Sequence, residues 1–191
     1  MGENMADRIK QEGIDISLAM DLEDITLLEC SLQAPAPIEG RLLDRRFLIL
    51  NPGKKFSLDV KRRKNVLRAM VEIHFGLFDQ KEKVNVPDVG MQPLELVHFN
   101  LAAGVVITSP LMGEEAIAPR HLAGSKAPEE HRDEKMERAM RIEAIKAAYS
   151  LASSKLLELS SMSPIGPTLL PLIDSDEILD DITRRENSAS G

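Results

Sequence analysis

Leu67-Arg-Ala-Met-Val-Glu-Ile-His-Phe75 is the stretch that decides the fold. Leu67, Ala69, Val71, Ile73 and Phe75 fall on one side of an extended chain, with Arg68, Met70, Glu72 and His74 on the other. Successive side chains of a strand point to opposite faces, so this alternation reads as a strand with one buried face. Upstream, Phe47-Leu-Ile-Leu50, Asn51-Pro-Gly53 and Lys55-Phe-Ser-Leu-Asp-Val60 form an apolar run, a turn and an alternating run, which is the pattern of a hairpin. Downstream, Leu94-Glu-Leu-Val-His-Phe99 and Gly104-Val-Val-Ile-Thr-Ser-Pro110 read as further strands, the second closed by its proline, and Leu111-Met-Gly113 as the next turn. Five or six short strands with no helix between them predict a small antiparallel β-barrel or sandwich.

At Pro128 the period changes. A proline followed by Glu129, Glu130, Asp133 and Glu134 suits a helix N-terminus, where the missing amide is harmless and the helix dipole favours acids. Ile142, Ile145, Tyr149, Ala152, Leu156 and Leu159 then repeat at alternating steps of three and four, on a helix that ends before Ser163-Pro164. Met136, Met140, Ala144, Ala148 and Leu151 widen the apolar face. Such a stripe either docks on the sheet of its own domain or self-associates, making a homo-oligomer through Ile142, Ile145, Tyr149, Leu156 and Leu159. The class is therefore α+β, with a long C-terminal amphipathic helix.

Four segments follow from these breaks: an acidic N-terminal segment over 1–37, a β-rich core over 38–124, the helix over 128–162, and a proline-punctuated acidic tail over 163–191. In the first, Ile14 to Leu28 mixes strand and helix spacing, and Ala34-Pro-Ala-Pro37 marks its boundary. In the last, Ile165-Gly-Pro-Thr-Leu-Leu-Pro171 reads as a linker, and Asp174 to Arg185 as a short acidic helix with Ile178, Leu179 and Ile182 on one side. That helix is a frayed end, a cover for a basic surface, or a docking element for a protein partner.

With 191 residues and 43% apolar content the chain can bury a core as one domain plus appendages. Aromatic residues make up only 3%, with no Trp, which disfavours base-stacking platforms for single-stranded nucleic acid. Cys30 alone excludes an intramolecular disulfide and reads as a buried, inert thiol in a reducing compartment. No apolar run reaches the roughly 18–20 residues needed to span a bilayer, so the expectation is a cytoplasmic protein without membrane insertion. No nucleophile–base pairing, phosphate loop or dinucleotide fingerprint is present, and the reading is of a non-enzymatic protein without a cofactor. His74 and His98 lie on neighbouring strands with no third ligand at useful spacing, and no metal is expected.

Charge supplies the functional signal. Between Arg41 and Arg68 ten Lys and Arg face only Asp44 and Asp59, a local charge of +8 in a chain of −7. Lys61-Arg-Arg-Lys-Asn-Val-Leu-Arg68 places several cations just before a strand, where Arg can fork onto phosphate. The window is a solvated loop, an anion or nucleotide site, or a docking surface for an acidic segment. Over about residues 60–120, Arg62-Arg63-Lys64 with Arg68, the following strand and Asn100-Leu-Ala-Ala-Gly104 resemble the PilZ family, six-stranded barrels that include cyclic di-GMP receptors. The resemblance implies a ligand site of Arg62, Arg63, Lys64, Arg68 and Asn100. Lys64 stands where the family has its first arginine, Ala102 replaces its serine and Val105 its final glycine, which removes a hydroxyl ligand and a backbone freedom. The function expected is regulatory binding of an anionic ligand, at its most specific cyclic di-GMP. The alternative is an oligomeric assembly protein of viral or secretion type, whose helix over 138–159 self-associates while the basic window meets nucleic acid or an acidic partner.

Overall fold

The computed structural model describes residues 20–33, 46, 48–109 and 127–189, without the side chains of 51–55, 127–133 and 189. Four strands come first, β1 (Asp21–Gln33), β2 (Leu48–Arg63), β3 (Val66–Val86) and β4 (Gly90–Thr108), then two helices, α1 (Ala127–Ser161) and α2 (Ser175–Ala189). The strands form one antiparallel sheet in the order β1-β4-β3-β2, so among the described residues β1 and β2, adjacent in sequence, are its opposite edges. The α+β class and the long C-terminal helix are as expected.

The sheet is neither closed nor doubled, and its described strands number four, because two anticipated interruptions lie inside strands. Asn51 and Pro52 pair with Gly76 and Phe75, and Phe56 resumes pairing at Ile73, so both halves of the anticipated hairpin lie on β3. The extra residues are taken up as a bulge, and Pro52, lacking an N–H, is tolerable on an edge strand. Leu94–Phe99 and Gly104–Thr108 are likewise one continuous strand, β4. The sheet closes its inner face with helices, which removes the need for a second sheet. The anticipated boundary at 34–37 and turn at 111–113 lie outside the described residues.

Leu67, Ala69, Val71, Ile73 and Phe75 of β3 are buried against Phe99, Leu101, Ala103, Val105 and Ile107 of β4, with Phe56 and Leu58 of β2 beside them. Onto this face α1 lays Met136, Met140, Ala144, Ile145, Ala148, Ala152 and Leu156, all buried. The alanines bring the helix backbone close to the sheet. Ile142, Tyr149 and Leu159 flank the contact, half-buried against the same core. The apolar stripe thus docks on its own sheet, which takes Ile145 and Leu156 out of the anticipated self-association seam; Ile142, Tyr149 and Leu159 keep part of their surface at the margin of the contact.

Tyr149 joins three elements. Its ring lies 6.3 Å from that of Phe56 and 6.0 Å from that of Phe75, and its hydroxyl donates to the Pro171 carbonyl in the segment after α1. Burial pushes its phenol up to about 12. The segment is further held by buried Ile165 and Leu170 and by the Thr168 N–H, which donates to Ser160 Oγ at 2.8 Å. Asp174 Oδ1 then accepts from the amides of Asp176 and Glu177, capping α2, and Leu179 and Ile182 enter the core with Ile178 packed beside it. The acidic tail is therefore a docked helix. It is neither frayed nor a partner-docking element, because its apolar side faces its own core. Its Asp176 and Asp180 bind Arg138 of α1, at 3.1 and 2.7 Å.

Glu137 of α1 accepts from Arg141 at 2.7 Å and from Arg62, at the end of β2, at 3.0 Å. Burial raises its carboxyl, but the two guanidinium groups outweigh burial and hold it below the usual range. A depressed folded value stabilises above the unfolded value and is lost as pH falls through the folded one, so this contribution should fade below about pH 5. Glu137→Gln should cost about 0.5–1 kcal/mol at pH 7 and progressively less as the pH is lowered into the acid range, measured by urea unfolding across a pH series. Ile145→Ala should destabilise the monomer by about 2–4 kcal/mol and exposed Leu157→Ala by under about 0.5 kcal/mol. Equal costs for the two in thermal and urea unfolding would contradict the docking of α1.

Candidate binding surfaces

β2 and β3 are joined by a turn at Lys64-Asn65, with Lys64 at a φ of 50°. Register places Lys61 opposite Arg68, Arg62 opposite Leu67 and Arg63 opposite Val66. Because Leu67 faces the core, Arg62 shares the helix side, where Glu137 takes it, whereas Lys61, Arg63 and Arg68 share the outer side. The structure therefore brings Arg63, Lys64 and Arg68 together, adds Lys61 and turns Arg62 away. Lys61 and Arg68 are like charges directly across a ladder, an unfavourable pairing that an anion would relieve. Among the described residues none of Lys61, Arg63, Lys64 or Arg68 forms a salt bridge.

Asn100 is elsewhere. It pairs with His74, six residues along β4 from the Val106 that pairs with Arg68, or ~20 Å at about 3.4 Å per residue. There its Oδ1 is hydrogen-bonded to His74 Nδ1, and His98 Nδ1 meets Glu95 Oε1 at 3.0 Å. The two imidazoles stand 6.4 Å apart, and among the described residues no group of three or more His, Cys, Asp or Glu is placed to hold a metal.

The second surface is the β1 edge. Among the described residues β1 pairs only with β4; it carries Asp21, Glu23, Asp24 and Glu29 with no cation, and exposes Leu22, Leu27 and Leu28. Leu22 and Leu27 oppose Ile107 and Ala103 on the helix side of the sheet, where α1 leaves them uncovered. A cavity of about 410 Å³ opens there between Met20, Leu22 and Ile107 of the sheet side and Glu143, Lys146 and Ala147 of α1. Cys30, also on the helix side, is half-buried; burial pushes its thiol up, Lys155 opposes this and Glu158 adds to it, leaving a poor nucleophile. A smaller cavity, about 230 Å³ between α1 and α2, is lined by Glu137, Arg138 and Arg141, already paired with one another or with α2.

The sequence leaves β1 undecided because an extra residue at each of two bulges, Glu23 between Leu22 and Asp24 and Leu28 between Leu27 and Glu29, breaks the alternation. It also misses the β3–β4 arm, where among the described residues Lys83 to Val86 pair only with Gly90 to Pro93, leaving Val84, Val86, Val89 and Met91 exposed. Val-Pro-Asp-Val-Gly at 86–90 was the available signal, a Pro-Asp turn flanked by alternating valines.

No helix among the described residues is long and apolar enough to cross a membrane. No family model and no curated protein matches the chain. Among solved structures, the fold is similar to that of a SecB-like chaperone of Mycobacterium tuberculosis in complex with a ChAD peptide from the HigA1 antitoxin. The TM-score is 0.51 at 11% identity, over 83% of this chain and 94% of that one, a likeness of fold alone.

Proposed function

We propose that this chain binds polypeptides, holding an extended segment along the free edge of β1 with one apolar side chain in the neighbouring cavity. The observation that carries the reading is the coincidence of a strand edge unpaired among the described residues, exposed leucines and a cavity of about 410 Å³ with an apolar wall of Met20, Leu22, Ile107 and Ala147 and a charged rim of Glu143 and Lys146. Edge amides and carbonyls supply sequence-independent hydrogen bonds, and the cavity selects a side chain. The four carboxylates of β1 favour a segment that carries Lys or Arg beside its apolar residues. The fold likeness to a chaperone solved with a peptide supports the same class of ligand. Leu22→Asp should weaken binding of a labelled apolar and basic peptide at least tenfold in fluorescence anisotropy, since a buried Leu contact is worth about 1.5–3 kcal/mol. Unchanged affinity would sink the reading.

A second reading keeps the basic turn as an anion site, favoured by the unpartnered cluster of Lys61, Arg63, Lys64 and Arg68. Cyclic di-GMP is its most specific form, resting on the PilZ resemblance, with Arg63 and Arg68 as the forked contacts. Titration calorimetry should give micromolar binding that Arg68→Ala abolishes, with linear GMP as control. Absence of heat with both nucleotides would remove it.

A further inference from the structure

The outer face of the sheet carries a charge polarity that the two readings use only piecemeal, its basic end as an anion site and its acidic strand as an attraction for a basic segment. Among the described residues no element covers it; both helices lie on the other side. Its rows, read from β2 through β3 and β4 to β1, are Arg63-Val66-Thr108-Asp21, Lys61-Arg68-Val106-Asp24, Asp59-Met70-Gly104-Thr26 and Ser57-Glu72-Ala102-Glu29. Cations therefore occupy the β2 and β3 side of the first two rows and carboxylates the β1 side, with Val66 and Val106 between them. Asp59 and Glu72 fall outside this polarity, and Glu72 already accepts from Ser57 at 2.8 Å.

We propose that two copies of this chain meet through this face, about a two-fold axis parallel to the strands and midway between β3 and β4. Only that axis direction matches the charges. Rotation about it lays β2 over the partner copy's β1 and β3 over its β4, so Lys61 meets Asp24 and Arg63 meets Asp21, each pair occurring twice as an isologous interface requires. An axis across the strands would instead lay cation on cation. Shape agrees with charge. Met70, exposed to 39%, comes over Gly104, which offers a recess, and Glu72 comes over Ala102. Four strands about 4.8 Å apart and the four rows about 6.7 Å apart give roughly 500 Å² per copy, below the ~800 Å² of a standard interface and in keeping with a weak, salt-sensitive dimer. The contact also supplies the anion that the opposed Lys61 and Arg68 lack within one chain.

The proposal shares Asp21 and Asp24 with the polypeptide reading and Lys61 and Arg63 with the anion reading, but it is read out as self-association without any ligand, so its failure is distinguishable from theirs. Light scattering and sedimentation equilibrium on the full chain at about 50 μM and low salt should give a dimer that weakens as salt rises. K61E/R63E and D21K/D24K should each be monomeric, at least tenfold weaker in self-association, with unchanged far-UV CD and melting. Mixed in equal amounts they should form a heterodimer, because one face is then wholly acidic on its flanks and the other wholly basic. Gly104→Val should also give a monomer: an added Cβ meets nothing nearer than 3.8 Å within the chain, so the fold tolerates it while the recess is filled. A monomeric wild type, or a dimer that survives both charge reversals and Gly104→Val, would overturn the proposal.

Discussion

Burial of one face of β3 and β4 beneath α1 is the constraint on which the rest of the molecule depends. Ten side chains of the two strands meet a helix whose contact residues recur every three or four positions, and alanines at 144, 148 and 152 let the helix settle close. Once α1 is placed, Tyr149 reaches Phe56, Phe75 and the Pro171 carbonyl, and the segment after α1 has a defined path. α2 follows, held by its own apolar side and by Arg138. Hydrophobic burial supplies the driving force, and the few polar contacts set direction.

The same placement decides which surfaces remain for function. α1 lies over β3 and β4 and leaves the β1 side of the inner face open, and a cavity results at Leu22 and Ile107. Among the described residues it also leaves the outer face bare. Edge, cavity and face are therefore consequences of one helix covering part of one side of an open sheet. Exposed strand edges invite pairing, and the acids along β1 restrict which chains can approach.

The basic window shows how a charge run is divided by a fold. In sequence, Arg62, Arg63 and Lys64 are equivalent neighbours. In the sheet, the period of two sends Arg62 to Glu137 on the helix side and leaves Arg63 on the outer side with Lys61 and Arg68. Asn100 was associated with them by a motif, and the register places it about 20 Å away beside His74. The tail was legible as an acidic amphipathic helix, but not that its carboxylates would go to Arg138 rather than to the basic window.

By itself the sequence determined the faces: the alternation over 67–75, the helical stripe from Met136 to Leu159 and the apolar side of the last helix are each used as their periods imply. These are local properties, set by backbone geometry and side-chain polarity within a few residues. Only the tertiary structure decided whether Asn51-Pro-Gly53 turns or bulges, that β1 and β2 are opposite edges, and that the stripe meets its own sheet. Each depends on the partner presented across the sheet or the core, and a chain read residue by residue does not contain that partner's position.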